Sequence, residues 1–405
     1  MVKINRFIYI VNYPLIELNY KKSGIDFLLN EGYSVEVIDA FDIQYSYKYR
    51  NILLPQTSSK KIKITQVSTY SDIKKILNSY SDGDCVILMY RPGFIFNKIT
   101  RTLNRKKIPV VCIGSGAIPF PNFERKENYL EKINRILKTY SVKFILNFMF
   151  QEILDRVSFA LLRPKVQYFI YGGTSAFINS AKILKQAHKT LSAHTLDYDI
   201  FLQEKIKTKS EYGLSNKQEK YIVFVDQNPL DDPDRYLFND SEPVIDSIRL
   251  EYYKKIGIFF DYLENKFSYK VVVAAHPKSD INLLSENLNN REVVINNTAQ
   301  LIKNCEFCVL HSSTAVNFAI LYQKPVVIFK MKLFFHIMSK YQDMFSDEMA
   351  NYTNSDIVLI DSNNYNVNYP LVDKKAYSKY KKMFIKEDNS NNKMFWKILE
   401  ESING

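Results

Sequence analysis

The sequence predicts an α/β protein built as two doubly wound, Rossmann-like domains that face each other across a cleft. Three observations predict it. Short apolar runs that read as buried parallel strands recur along the whole chain and alternate with helical patterns. At 405 residues the chain is too long for one ordinary core. Two of the later strands, in VVVAAHPKSD at 271–280 and FCVLHSSTAVNFAILYQKPVVIF at 307–329, stop abruptly at polar clusters. Doubly wound sheets bind ligands at such strand ends.

In the first half, strands are predicted at Phe7–Asn12, Val35–Phe41, Cys85–Tyr90, Val110–Gly114 and Val166–Gly172, with helical runs near 16–30, 71–80, 95–105, 124–138 and 143–162. This βαβ series implies a mostly parallel sheet covered on both faces. The second half repeats it with strands Tyr221–Asp226, Lys270–Ala275, Glu292–Ile295, Phe307–Leu310, Pro325–Phe329 and Ile357–Ile360, and helices at 242–264, 298–304 and 314–322. Between the halves lies 192–221, whose polar second part reads as a linker. The expected division is a first domain at 1–200, a second at 201–375, and amphipathic helices at 376–405 that cross back to the first. Their apolar positions are Tyr380, Phe384, Phe395, Trp396, Ile398 and Leu399.

The formal net charge is +12. The basic residues are scattered and no nucleic-acid-binding signature accompanies them, so nucleic acid is not an expected partner. With 29 Tyr and 27 Phe, an anionic membrane surface suits the charge better, although an AT-rich coding sequence explains the same composition. No stretch reaches the ~20 apolar residues needed to span a bilayer, and the first residues show only a short apolar run without a small-residue cleavage site. The expected location is cytoplasmic, peripheral on the inner membrane. Cys85, Cys112, Cys305 and Cys308 fall in or beside apolar runs and read as reduced, buried thiols. The Cys305–Cys308 pair has the CxxC spacing but lacks a second pair or a His pair for zinc. His188, His194 and His336 have no metal-spaced partner, so no metal site is expected. Neither GxxxxGK[ST] nor a GxGxxG after the first strand is present, which argues against a P-loop NTPase or a dinucleotide oxidoreductase.

The candidate site sits at the strand ends. Ser312, Ser313 and Thr314 precede a helical run and would offer hydroxyls and backbone N–H groups, while His276 and Lys278 arrive from a neighbouring strand. Together they suit an anion, most simply a phosphate. The strand at 221–227 leads into NPLDDPDRYLF, which places Asp226, Asp231, Asp232 and Asp234 close together at the mouth of the sheet. A carboxylate there could reach a sugar in the cleft. Asp, Pro, Ser and Thr are also ordinary turn and cap residues. Gly114-Ser115-Gly116 and Tyr171-Gly172-Gly173-Thr174-Ser175 close two first-domain strands, as simple turns or as close approaches of backbone to a ligand.

With the His-Pro motif, the Ser/Thr motif and the DQNPLDDPDRYLF loop together, the sequence resembles the bacterial sialyltransferase-like GT-B enzymes that use CMP-sugars. Within them it looks like the retaining, KpsC-like β-Kdo transferases (Kdo is 3-deoxy-manno-octulosonic acid). The likeness covers chiefly 221–330. It implies a metal-independent enzyme without cofactor that moves Kdo from CMP-β-Kdo to a lipid-linked or lipopolysaccharide acceptor such as an O-antigen or capsule-type glycan. His276 and Lys278 would hold the phosphate and ribose region of CMP, and Ser312, Ser313 and Thr314 the phosphate. Gln227 and Asn228 would line the sugar site, and Asp232 would act as nucleophile at the anomeric carbon, with Asp226, Asp231 and Asp234 as alternatives. The acidic general-base motif of the sialyltransferases is absent from the first half. Two other readings stand beside this one: an inverting CMP-sialic acid transferase, and a sugar-nucleotide-binding module without catalysis.

Overall fold

A computed structural model describes residues 3–13, 15, 17–45, 62–114, 118–119, 142–206, 219–231, 244–333, 342–361 and 365–405. Two parallel sheets organise them. The first contains β1 (Arg6–Val11), β2 (Ser34–Asp39), β3 (Lys63–Gln66), β4 (Asp84–Met89), β5 (Val110–Gly114), β6 (Val166–Tyr171) and β7 (Ala187–Ser192), in the order β3-β2-β1-β4-β5-β6-β7. The second contains β8 (Tyr221–Val225), β9 (Lys270–Ala275), β10 (Val293–Ile295), β11 (Phe307–Leu310), β12 (Val326–Lys330) and β13 (Ile357–Leu359), in the order β10-β9-β8-β11-β12-β13. Both sheets wind outward in two directions from their first strand, so the order reverses between β1 and β4 and again between β8 and β11. Those reversals open crevices at the strands' carboxyl ends.

Burial explains why these strands read so clearly. Ile222 and Phe224 pack on one face of the second sheet, Val223 and Val225 on the other, and both faces are covered. In the first sheet Phe7, Tyr9 and Val11 face one layer while Ile8 and Ile10 face the opposite one. A strand buried on both faces has no polar alternation to show.

Two strands escaped the sequence reading: β3 (KITQ) and β7 (AHKTLS). Both are edge strands, paired on one side only and largely uncovered. The helix expected over 16–30 is two pieces, Glu17–Lys22 and Ile25–Asn30. Gly24 separates them at φ 70°, and a Cβ there would lie 2.2 Å from the Trp396 ring. The helical run near 124–138 lies outside the described residues, as does His336.

The stretch at 192–221 has two parts, and the polar second one, read as a linker, lies largely outside the described residues. Its first part forms the helix Leu196–Ile206, whose Tyr198 and Phe201 enter the core around β8 and β11. Residue 200, the expected boundary, falls inside that helix. Near the other end of the chain, the helix Lys374–Tyr380 runs into a π-helical turn, Lys381–Ile385, and buries Tyr377, Tyr380, Phe384 and Ile385 in the same core. The chain then crosses over. Lys386 pairs antiparallel with His194, and the helix Phe395–Asn404 inserts Phe395, Trp396, Ile398, Leu399 and Ile403 into the core beneath β1, β2 and β4.

All four cysteines are free and buried. The Sγ atoms of Cys305 and Cys308 lie 3.6 Å apart, and the hydrogen bond between them together with burial pushes the Cys308 thiol well above its ordinary range. Such a thiol is inert as a nucleophile. No helix among the described residues is long and apolar enough to cross a membrane.

Candidate functional site

Asp226, the residue after β8, organises the strand ends of the second sheet. It is 5% exposed. Its Oδ1 accepts from the Asn228 N–H at 2.9 Å, and its Oδ2 accepts from Ser279 Oγ at 2.8 Å and the His276 N–H at 3.3 Å. One carboxylate thus ties the loop after β8 to the His-Pro loop after β9. The same bonds bend the chain so that Asn228 sits at φ 50°, a conformation asparagine tolerates better than most residues. Within the His-Pro loop, His276 Nδ1 accepts from the Lys278 N–H at 3.3 Å, which makes Nε2 the proton-bearing nitrogen of the neutral ring. Asp280 closes the loop by capping the helix Ile281–Asn287, accepting from the N–H groups of Asn282 and Leu283.

Gln227 makes the equivalent tie to the Ser/Thr motif. Its Nε2 donates to the Ser312 carbonyl, and its Oε1 accepts from the Ser312 N–H at 3.3 Å and contacts His311 Nδ1 at 3.2 Å. His311 is buried against Phe329. Burial, helped by the Lys330 ammonium, holds its pKa down to about 3, so the ring is neutral at physiological pH. Ser312 is therefore a buried, doubly tied residue, and Ser313 and Thr314 are the more open members of the motif. Ser313 Oγ accepts from the Ala315 N–H at 3.2 Å and so sets the turn that leads into the helix Val316–Tyr322.

A cleft of about 630 Å³ opens in front of these loops. Asp226, Ala275, His276, Pro277, Ser313 and Thr314 line one wall, while Lys22, Gly24, Asp26 and Phe27 of the first domain line the other. The structure therefore brings the His-Pro and Ser/Thr motifs to a common cavity at the reversal between β8 and β11. Gln227, Asn228, Ser312 and Lys278 are not on its lining: the first three hold the loops through the bonds above, and Lys278 reaches the first domain, its Nζ 5.5 Å from the centre of the Tyr13 ring.

Of the carboxylate cluster, Asp231 is held by Arg249 in a bidentate pair with both bonds at 2.7 Å. Asp232 and Asp234 lie outside the described residues, as do Ser115 and Gly116. The Gly172–Gly173 turn faces the crossing segment. A Cβ on Gly172 would lie 2.4 Å from the His194 backbone, and one on Gly173 2.6 Å from the Met383 carbonyl. Thr174, Tyr171 and Ser192 gather there on Glu387, with hydroxyl-to-carboxylate distances of 3.2, 3.1 and 2.6 Å.

The sequence reading missed the floor of the cleft. Asn296 and Asn297 follow β10, and Asp197, Asp199 and Gln203 project from the helix Leu196–Ile206. Asp197 bridges the two domains, accepting from Lys22 Nζ at 3.2 Å and from Asn317 Nδ2 at 3.0 Å. Asp199 accepts from the Phe395 N–H at 2.8 Å and lies 3.6 Å from His194 Nε2. Burial pushes its pKa up to about 7, opposed by the Phe395 hydrogen bond. The polar end of VVINN at 293–297 was a legible signal of the same kind as His276-Pro277.

No protein-family model matches the sequence, and no curated protein does. Several solved structures are similar along the whole chain. They include the glycotransferase of kitacinnamycin (10% identity, 100% of each chain, TM-score 0.49). The UDP-GlcNAc 2-epimerase from Neisseria meningitidis bound to UDP-GlcNAc is another (13% identity, 99% of this chain and 100% of that one, TM-score 0.48). A third is the Methanocaldococcus jannaschii UDP-GlcNAc 2-epimerase in complex with UDP-GlcNAc and UDP (16% identity, 99% of each chain, TM-score 0.45). The chain's own topology, two parallel-sheet α/β domains with a C-terminal helix returned to the first, is the GT-B arrangement.

Proposed function

We propose that the chain is a sugar-nucleotide-dependent glycosyltransferase whose donor lies at the carboxyl ends of β8, β9 and β11. More specifically, the donor is CMP-β-Kdo, the product retains the β configuration, and the acceptor is a lipid-linked or lipopolysaccharide glycan at the cytoplasmic face of a membrane. One observation carries this reading: His276-Pro277 and Ser313-Thr314, from separate strands, line one interdomain cleft. Convergent polar groups at the reversal point of a doubly wound sheet are where this architecture holds a nucleotide.

In this reading His276, Ser313 and Thr314 hold the phosphate and ribose of CMP, Lys278 adds its positive charge from beside the cleft, and Ser312, Gln227 and Asn228 fix the loops that present them. The opposite wall, with Lys22 and Asp26, takes the acceptor. The leaving group is a nucleoside monophosphate, whose charge a lysine and hydrogen-bond donors can offset without a divalent ion. Asp232 is the nucleophile. Its neighbours support that choice, because Asp226 is committed to three loop-holding hydrogen bonds and Asp231 to Arg249. A carboxylate oxygen attacks the anomeric carbon, and the bond to the phosphate oxygen breaks with its electron pair leaving on CMP. The acceptor hydroxyl then attacks the same carbon, its proton passes to a base, and the carboxylate departs. Two inversions give retention.

Titration calorimetry with CMP tests the pocket. His276→Ala and Ser313→Ala/Thr314→Ala should each weaken binding by roughly tenfold or more, since hydrogen bonds to a charged group contribute about 1.5–3 kcal/mol. Unchanged affinity in both would remove these residues from the site.

A further inference from the structure

The helix Val142–Leu162 packs on the first domain the wrong way round for an ordinary surface helix. Its inward side is fastened by polar groups. Asp155 Oδ1 accepts from the Phe94 N–H at 2.7 Å, and Asn97 Nδ2 donates to Ser158 Oγ at 2.8 Å. Its outward side is apolar: Leu146, Met149, Phe150, Ile153, Val157 and Leu161 are all exposed, Leu146 at 61% and Leu161 at 76%. Apart from the adjacent Met149 and Phe150, successive members are three or four residues apart, so they form one stripe along a single face. At 1.5 Å per residue it runs for roughly 22 Å. Isolated exposed apolar residues need no explanation, but a contiguous stripe of six marks a contact surface.

The charges beside the stripe indicate what covers it. Arg156, whose side chain is 83% exposed, projects from the helix, and Arg163, also exposed, follows its last residue. Lys165, Lys182 and Lys185 are exposed on the neighbouring strand approach and short helix. Glu152, an acidic group on that flank, lies between two of these cations, 3.8 Å from Arg156 and 3.3 Å from Lys182. Among the described residues this flank of the stripe is thus net basic. A second copy of this chain would bring the same positive flank against itself. An anionic lipid surface brings the opposite charge and an apolar layer to receive the side chains.

We propose that this helix docks the first domain onto an anionic bilayer, its apolar stripe in the headgroup and acyl boundary and the flanking cations on the lipid phosphates. The surface lies outside the cleft, so its failure would leave the proposed donor pocket untouched, and failure of that pocket would leave this surface untouched. The test is flotation of the full chain with vesicles of phosphatidylglycerol and phosphatidylcholine, against vesicles of phosphatidylcholine alone. Binding to the anionic vesicles is expected, weakening as salt shortens the Debye length from ~10 Å at 0.1 M to ~3 Å at 1 M. Phe150→Glu/Ile153→Glu should lower the vesicle partition at least tenfold, and Arg156→Glu/Arg163→Glu should abolish the preference for anionic lipid. Both pairs are on the surface, and an unchanged far-ultraviolet circular dichroism spectrum and thermal midpoint show that the variants are folded. The proposal is overturned if neither vesicle is bound, or if the Phe150/Ile153 pair leaves the partition unchanged. It is equally overturned if light scattering shows a dimer without lipid that the same pair dissociates, since the stripe is then covered by a second copy.

Discussion

Removing the Asp226 carboxylate should loosen the whole mouth of the second domain. In Asp226→Ala the N–H groups of Asn228 and His276 and the Ser279 hydroxyl lose a shared, buried, charged acceptor. Hydrogen bonds to a charged group contribute about 1.5–3 kcal/mol each, so the two short bonds alone give about 3 kcal/mol and all three about 5 kcal/mol. Asp226→Asn keeps one carbonyl oxygen for Asn228, and the Ser279 hydroxyl can turn to accept from the new amide. It should cost only about 1–2 kcal/mol. The chain's single tryptophan, Trp396, lies in the core of the first domain, so during urea unfolding its fluorescence reports that half while far-ultraviolet circular dichroism reports both. With a slope near 2 kcal/mol/M, the alanine variant should lower the far-ultraviolet circular dichroism midpoint by roughly 1.5 M. The Trp396 fluorescence midpoint should move much less. A dichroism midpoint within about 0.3 M of the parent protein, equivalent to about 0.6 kcal/mol, would refute the idea that Asp226 ties these loops together.

Three further outcomes are expected. Asp232→Asn should abolish transfer while leaving CMP affinity within about twofold, because the lost interaction belongs to the reacting carbon; intact-protein mass spectrometry of the parent with donor alone should find one Kdo on the 220–240 peptide, and an inverted product would end the double-displacement scheme. Turnover should persist in excess EDTA, and activity that is lost and then restored by magnesium would point to a nucleotide-diphosphate donor instead. Asp199, with its pKa raised to about 7, binds its proton more tightly in the folded than in the unfolded chain, so its contribution is full at low pH and is lost as pH rises from about 4 to about 7. The Trp396 unfolding free energy should therefore fall by about 2–3 kcal/mol more in the parent than in Asp199→Asn between about pH 5 and pH 8, and parallel profiles would contradict the burial argument.

The fold was legible where burial is two-sided. Lys270–Ala275 and Phe307–Leu310 are continuous apolar runs, and the strands found there have the expected bounds. It was illegible at the edges of the first sheet, where KITQ and AHKTLS pair on one side only and carry no hydrophobic signature. The break at Gly24 was hidden for another reason, since the ring that demands it belongs to Trp396 at the far end of the chain. In the site, the strand-end residues could be named because polar clusters interrupt apolar runs. Their division into cleft-lining and loop-holding members could not be read, because Gln227 meets Ser312 and Asp226 meets Ser279 only after the sheet has formed. Asp197 and Asp199 belong to no strand-end cluster, and their role comes from contacts with Lys22, Asn317 and Phe395.

The return of Phe395–Asn404 to the core beneath β1 also bears on how the chain is made. From Ser192, the end of the first sheet, a ribosome must add about 200 residues before it reaches Phe395. At about 5–20 residues per second that is roughly 10–40 s. Through that interval the nascent first domain has its seven strands but lacks the aromatic wedge of Phe395 and Trp396, and Gly24 faces an open slot. Everything forming the second sheet is synthesised in the meantime. The half that is translated first is therefore the half that finishes last, and its unfilled slot is the surface most in need of chaperone cover during synthesis.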